Sequence, residues 1–151
     1  SHLRDFSLQA GLTFQKSRYL VDYKWSDDVP AQRNMFRTPD LYGYFNLDYT
    51  PFRHLNIAFN GKYTGPMLLM HYAGYIPKDV QVMSPSFFDL SLRIACPINI
   101  SNSLSAELFA SCKNMLDSYQ KDIDPGKDKD SQYIYGPAMP RTFYIGFDID
   151  F

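Results

Sequence analysis

Arg141-Thr142-Phe143-Tyr144-Ile145-Gly146-Phe147-Asp148-Ile149-Asp150-Phe151, the last eleven residues, decides the reading of the fold. Successive side chains of a strand point to opposite faces. Phe143, Ile145, Phe147, Ile149 and Phe151 therefore form one wholly apolar face. Thr142, Tyr144, Gly146, Asp148 and Asp150 form the other, which is mostly polar.

Period-two alternation recurs in five earlier segments, and helical spacing is almost nowhere sustained. Strand one starts near Leu3 and sets Phe6, Leu8, Ala10, Leu12 and Phe14 against Ser7, Gln9, Gly11, Thr13 and Gln15. It is expected to continue through Tyr19 and Tyr23 toward Trp25. Strand two sets Leu41, Gly43, Phe45, Leu47 and Tyr49 against Tyr42, Tyr44, Asn46 and Asp48. Strand three sets Leu55, Ile57, Phe59, Gly61 and Tyr63 against Asn56, Ala58, Asn60 and Lys62. Strand four sets Phe88, Leu90, Leu92, Ile94 and Cys96 against Asp89, Ser91 and Arg93. Strand five sets Leu104, Ala106, Leu108, Ala110 and Cys112 against Ser105, Glu107, Ser111 and Lys113. The final stretch is strand six.

The connections alternate in length. Strands two and three are joined around Pro51-Phe52-Arg53, and strands four and five by the turn from Pro97 to Asn102. The other three connections are long: Ser26 to Pro39, Thr64 to Pro85 and Asp117 to Pro140. An antiparallel meander with short turns at one end and long loops at the other has the asymmetry of an outer-membrane barrel.

Three features favour lipid over a soluble sandwich, whose strands also alternate. Stretches of about 9–11 residues match a tilted strand crossing a bilayer. Aromatics gather at their ends, with Tyr49, Phe52 and Phe151 on the short-turn side and Tyr19, Tyr63 and Phe143 on the other, as in interfacial girdles. Charges sit in mid-strand on the polar faces, where a wet lumen accepts them. Aromatics make up 17% of the chain, with 12 Tyr and 12 Phe. A mean hydropathy of −0.32 and short apolar runs exclude a helical membrane protein. A formal net charge of −1 gives no reason to expect nucleic acid. The chain opens Ser1-His2-Leu3 with neither a methionine nor a signal peptide, so it reads as a mature or excised piece of an exported protein.

A turn centred near Ile100 makes the numbers of facing residues on strands four and five sum to about 200. Arg93 then faces Glu107, and Asp89 lies diagonal to Lys113, giving two lumen ion pairs. Cys96 and Cys112 are held far apart by the same register, so no disulfide is expected. Six strands are fewer than the smallest single-chain membrane barrel uses. They also leave two unpaired edges, so further strands must complete the wall.

The C-terminal third resembles TonB-dependent receptors, the energised outer-membrane transporters. Lys113-Asn114-Met115-Leu116-Asp117-Ser118-Tyr119 is similar to the family's Asn-hydrophobic-Phe-Asp segment. Tyr133-Ile134-Tyr135-Gly136-Pro137, then Pro140-Arg141-Thr142-Phe143-Tyr144-Ile145-Gly146, is similar to the run into its final strand. Arg37-Thr38-Pro39-Asp40 and Ser84-Pro85-Ser86-Phe87-Phe88-Asp89 extend the likeness over nearly the whole chain. The resemblance implies a 22-stranded barrel around a plug, of which residues 1–151 are the last six strands, with plug and earlier strands absent. It also implies that Phe143, Ile145, Phe147, Ile149 and Phe151 are the signal read by the barrel-assembly machinery.

No catalytic constellation emerges. His2, His54 and His71 are scattered, and the loop aspartates Asp122, Asp124, Asp128 and Asp130 miss EF-hand spacing and alternate with Lys121, Lys127 and Lys129. No cofactor or metal is expected. The candidate ligand contacts are loop residues: Trp25, Arg33, Arg37, His71, Tyr72, Tyr75, Tyr133 and Tyr135. Aromatics and arginine there suit stacking and hydrogen bonding to a solute. The expectation is a barrel-wall segment of a Gram-negative outer-membrane transporter importing an iron chelate, cobalamin or glycan. Its expected partners are lipid, the rest of the barrel and plug, and the inner-membrane TonB complex. The rival is a soluble or oligomeric β-sheet that binds a ligand without transporting it.

Overall fold

The computed structural model describes residues 5–101 and 104–150. Among the described residues ten strands form: β1 (Asp5–Phe14), β2 (Arg18–Tyr23), β3 (Gln32–Asn34), β4 (Leu41–Phe52), β5 (Leu55–Thr64), β6 (Leu68–His71), β7 (Val80–Met83), β8 (Phe87–Ser101), β9 (Leu104–Lys113) and β10 (Thr142–Asp150). Six of them build one antiparallel meander in the order β1-β4-β5-β8-β9-β10, and two small hairpins, β2-β3 and β6-β7, stand apart from it. Among the described residues the sheet is open, with β1 and β10 as its edges. The six long strands are those the alternation predicts. Phe151, at the end of the last apolar face, lies outside the described residues, as do His2, Leu3 and Asn102.

Three expectations need correction. Strand one does not run on to Trp25: it stops at Phe14, and β2 turns away to pair with β3. The break comes at Gln15, whose N–H donates to the Asp40 carbonyl and whose Nε2 donates to the Pro39 carbonyl. Two long connections also hold structure of their own, since β3 lies in the first and β6-β7 in the second.

The third correction is the β8–β9 register. Strand β8 runs through Pro97 to Ser101, so Arg93 opposes Ser111, and Glu107 opposes Pro97. A proline is tolerated there because pairing with β5 ends at Asn56–Ala95, leaving β8 bonded on one side only. The Arg93–Glu107 pair forms nonetheless, at 2.6 Å. The guanidinium lies 4.4 Å from the centre of the Phe109 ring and slants along β9 to reach Glu107. Asp148 on β10 is 3.8 Å away. The expected Asp89–Lys113 pair is not made. Asp89 is opposite Lys62 on β5, and Lys113 Nζ sits 5.2 Å from the Tyr144 ring. Leu92 faces Cys112 and Leu108 faces Cys96, so the thiols are four rungs apart, roughly 13 Å, and both are free.

The two faces of the sheet meet different surroundings. On the apolar face Leu12, Phe14, Phe143, Ile145 and Phe147 are 71–82% exposed. Nothing among the described residues covers them. The tightest burial is under the long loops, where Met67, Leu69 and Tyr133 pack together with Tyr135 against them. On the polar face the Phe109 ring lies on Gly146, where an added Cβ would come within 2.6 Å of the ring.

The Asn114 segment is a turn that staples β9 to the start of β10. Asn114 and Asp117 both take left-handed backbone angles, φ +48° and +54°, which Asn and Asp tolerate better than other side chains. Asn114 is buried; its amide donates to the carbonyls of Met139 and Ser118 and accepts from the Ser118 N–H. Asp117 Oδ1 accepts from the Arg141 N–H. Replacing Asn114 by Ala strands those backbone groups and strains the turn, a cost of about 2–3 kcal/mol. Chemical denaturation should show that loss, and a midpoint equal to the parent chain's would refute the staple.

Candidate functional site

The long loops converge beyond the ends of β4, β5 and β8, and their packing is polar as much as apolar. His71, at the end of β6, is stacked on Tyr133 with ring centres 3.7 Å apart, and its Nε2 lies 2.8 Å from Asp124 Oδ2. Both members of that pair are buried. Asp124 also accepts from the Asp130 N–H, and Asp130 caps the short 3-10 turn Ser131–Tyr133 while accepting from the Tyr72 N–H. Of the four loop aspartates, Asp122, Asp124 and Asp130 thus serve as internal acceptors. Among the described residues no group of three ligating side chains is placed to hold a metal ion.

A second knot surrounds Tyr135. Its hydroxyl and that of Tyr133 both donate to Asp122. Buried Gln120 accepts from the N–H groups of Tyr135 and Gly136 and donates to the Tyr133 carbonyl. Gly136 abuts the end of the Phe87 ring, where an added Cβ would approach its Cζ to 2.5 Å. Burial and the Asp122 carboxylate raise both phenols, Tyr133 to about 12 and Tyr135 further. Partial burial acts against the Asp122 charge, but the hydroxyls of Tyr135 and Tyr133 outweigh it and hold its carboxyl below the usual range.

These knots frame two cavities. The larger, about 490 Å³, lies between the polar face of the sheet and the loops, and Arg37, Lys62, Asp89 and Tyr135 line it. The smaller, about 210 Å³, is lined by Trp25, Phe36, Arg37, Met70, Tyr72 and Gln132. Arg37 borders both. Its backbone is left-handed, φ +56°, pinned by its N–H on the Leu68 carbonyl and its Nη1 on the Ile134 carbonyl. Strain of this kind clusters at functional sites.

Of the eight candidate contacts, the structure brings Trp25, Arg37, Tyr72 and Tyr135 to cavity walls. His71 and Tyr133 are spent on packing. Arg33 lies 3.4 Å from Asp22 on the β2-β3 hairpin, and Tyr75 is exposed on the β6-β7 connection. Sequence reasoning missed Gln120 and Asp122 as the residues that shape the larger cavity. An isolated Gln in a polar loop carries no signal, and Asp122 was one of several acidic residues. It also placed Lys62 only as a large polar-face side chain.

No family model, curated protein or solved structure matches the chain.

The phenol shifts make the loop cluster alkali-sensitive in a defined window. A raised folded-state value contributes stability that is complete below about pH 10, the ordinary tyrosine value, and declines as pH rises through about 12. Absorbance at 295 nm should show two of the 12 tyrosines ionising late. Asp122→Asn should bring them earlier; all tyrosines titrating together near pH 10 would contradict the assignment.

Proposed function

We propose that the chain is a section of the wall of an outer-membrane β-barrel, of the TonB-dependent transporter kind. The observation that carries the reading is the inverted burial. Six strands turn a continuous apolar face outward, while the tightest packing is under the loops. In water, an exposed face of this extent marks a surface made for something else. Lipid fits it, because strands of 9 to 15 residues are long enough to cross a bilayer at a tilt. The opposite face carries Arg93, Glu107 and Asp148 in contact, which suits a water-filled lumen and not hydrocarbon. The two edge strands need partners in a membrane, and a larger closed barrel supplies them.

In this arrangement the short turns face the periplasm and the long loops face outward. The loop cavities receive a scarce solute such as an iron chelate, cobalamin or glycan. The wall encloses its route, and the plug and inner-membrane TonB complex supply the energy. The motif around Asn114, which joins the last two strands through a specific turn, supports the family likeness.

The placement is tested with nitroxide labels at successive positions 143 to 148 in the full chain, Cys96 and Cys112 first changed to Ala, reconstituted in phosphatidylcholine vesicles. Labels at 143, 145 and 147 should be relaxed by oxygen and those at 144, 146 and 148 by a water-soluble nickel chelate. A chain that stays monomeric and soluble without detergent, or labels showing no alternation, would overturn the reading.

A further inference from the structure

We propose that the larger loop cavity is a site for a small organic anion, its acidic group held between Arg37 and Lys62 and its flat apolar part resting on Phe87 and Tyr135. This rests on the transporter reading and deepens it by naming a ligand class. The cavity, about 490 Å³, is of the size that encloses a small organic molecule. Lys62, Thr64, Phe87 and Asp89 come from the last rungs of β5 and β8, where Lys62 pairs with Asp89 and Thr64 with Phe87. Arg37 comes from the loop above.

The charges are not matched within the protein. Among the described residues neither Arg37 nor Lys62 is within ion-pairing distance of a carboxylate. Two cations and one carboxylate, Asp89, line the cavity, so it carries an excess positive charge. Arg37 uses one N–H on the Ile134 carbonyl and keeps others of its five for a ligand. Guanidinium and ammonium groups together suit a carboxylate or phosphate. The Thr64 hydroxyl adds a donor beside Lys62.

The apolar lining is led by two aromatic rings, Phe87 and Tyr135, with Pro39, Met67 and Pro137 beside them. Tyr135 is tied through its hydroxyl to Asp122, so its ring is what it offers the cavity. The Phe87 and Tyr135 rings are 6.0 Å apart and inclined at 49°, and they make an apolar wedge of which Tyr135 is the more exposed side. Phe87 is only 4% exposed, and Gly136, which lines the same cavity, abuts the end of its ring. A neutral polar solute would leave the cations unused, and an inorganic anion would leave the wedge uncovered.

Phenyl phosphate, titrated calorimetrically into the full chain in dodecylmaltoside micelles, tests the site. Saturable binding is expected, weakened about tenfold or more by R37Q and separately by K62Q. Neutral phenol and inorganic phosphate should each bind at least about tenfold more weakly than phenyl phosphate. D89N removes the one opposing charge and should tighten binding about threefold, a gain that misfolding cannot produce. No binding to the parent chain, unchanged binding in R37Q and K62Q, or phenol binding as tightly as phenyl phosphate would each overturn the proposal. The nitroxide alternation in β10 does not depend on these residues, so its persistence alongside failed binding removes the anion site and leaves the barrel wall standing.

Discussion

Everything in this structure depends on the strand register, because register decides which side chains share a face. One row of facing residues runs Leu8, Leu47, Phe59, Leu92, Cys112, Phe143 across all six strands. A polar row runs Ser7, Asp48, Ala58, Arg93, Ser111, Tyr144 along the other face. A slip of one residue at any pairing would exchange the two faces from that point on. The bulges fall near the short turns, between Tyr49 and Phe52 and between Asn99 and Ser101. There they adjust the turn without disturbing parity in the body of the sheet.

That parity creates two separate packing problems. The apolar face presents large side chains that no part of the described chain covers, so its solvation is left to the surroundings. The polar face makes contacts of its own: Tyr44 against Gly11, Phe109 against Gly146, and Arg93 reaching across Phe109 to Glu107. Arg93 is partly exposed, so the ion pair contributes only up to about 1 kcal/mol. Its larger consequence is direction, since one side chain ties β8 to β9 and approaches β10.

The same logic explains what the sequence made legible. Alternation over nine or more residues identifies each long strand, and it survives an error in the turn. Moving the β8–β9 turn from near Ile100 to beyond Ser101 shifts the sum of facing residue numbers from about 200 to 204, an even change that keeps every residue on its face. The Arg93–Glu107 contact was thus anticipated from a facing geometry that the strands do not have; a long side chain made up the offset. Asp89 and Lys113 were not so served. The β6-β7 hairpin was illegible because Leu68-Leu69-Met70-His71 is nearly all apolar and too short to show a period. The loop cluster was illegible for a different reason. His71–Asp124 and Gln120–Tyr135 join residues that only the folded loops bring together, and no spacing rule announces them.

The loops themselves are organised by buried polar groups, which specify geometry more narrowly than apolar packing does. Gln120 fixes the backbone at Tyr135 and Gly136; Asp122 fixes the Tyr135 hydroxyl; Gly136 then fixes Phe87 by contact. None of this needs Gln120 or Asp122 to touch the larger cavity, yet together they set the position of its aromatic wall. The opposite wall is set by the sheet through Lys62 and Asp89 on neighbouring strands. Arg37, held in a strained conformation by Leu68 and Ile134, joins the two. The cavity is therefore defined by the same strand parity that turns the apolar face outward, since moving β5 or β8 by one residue would withdraw Lys62 and Asp89 from it and place Tyr63 and Phe88 there instead.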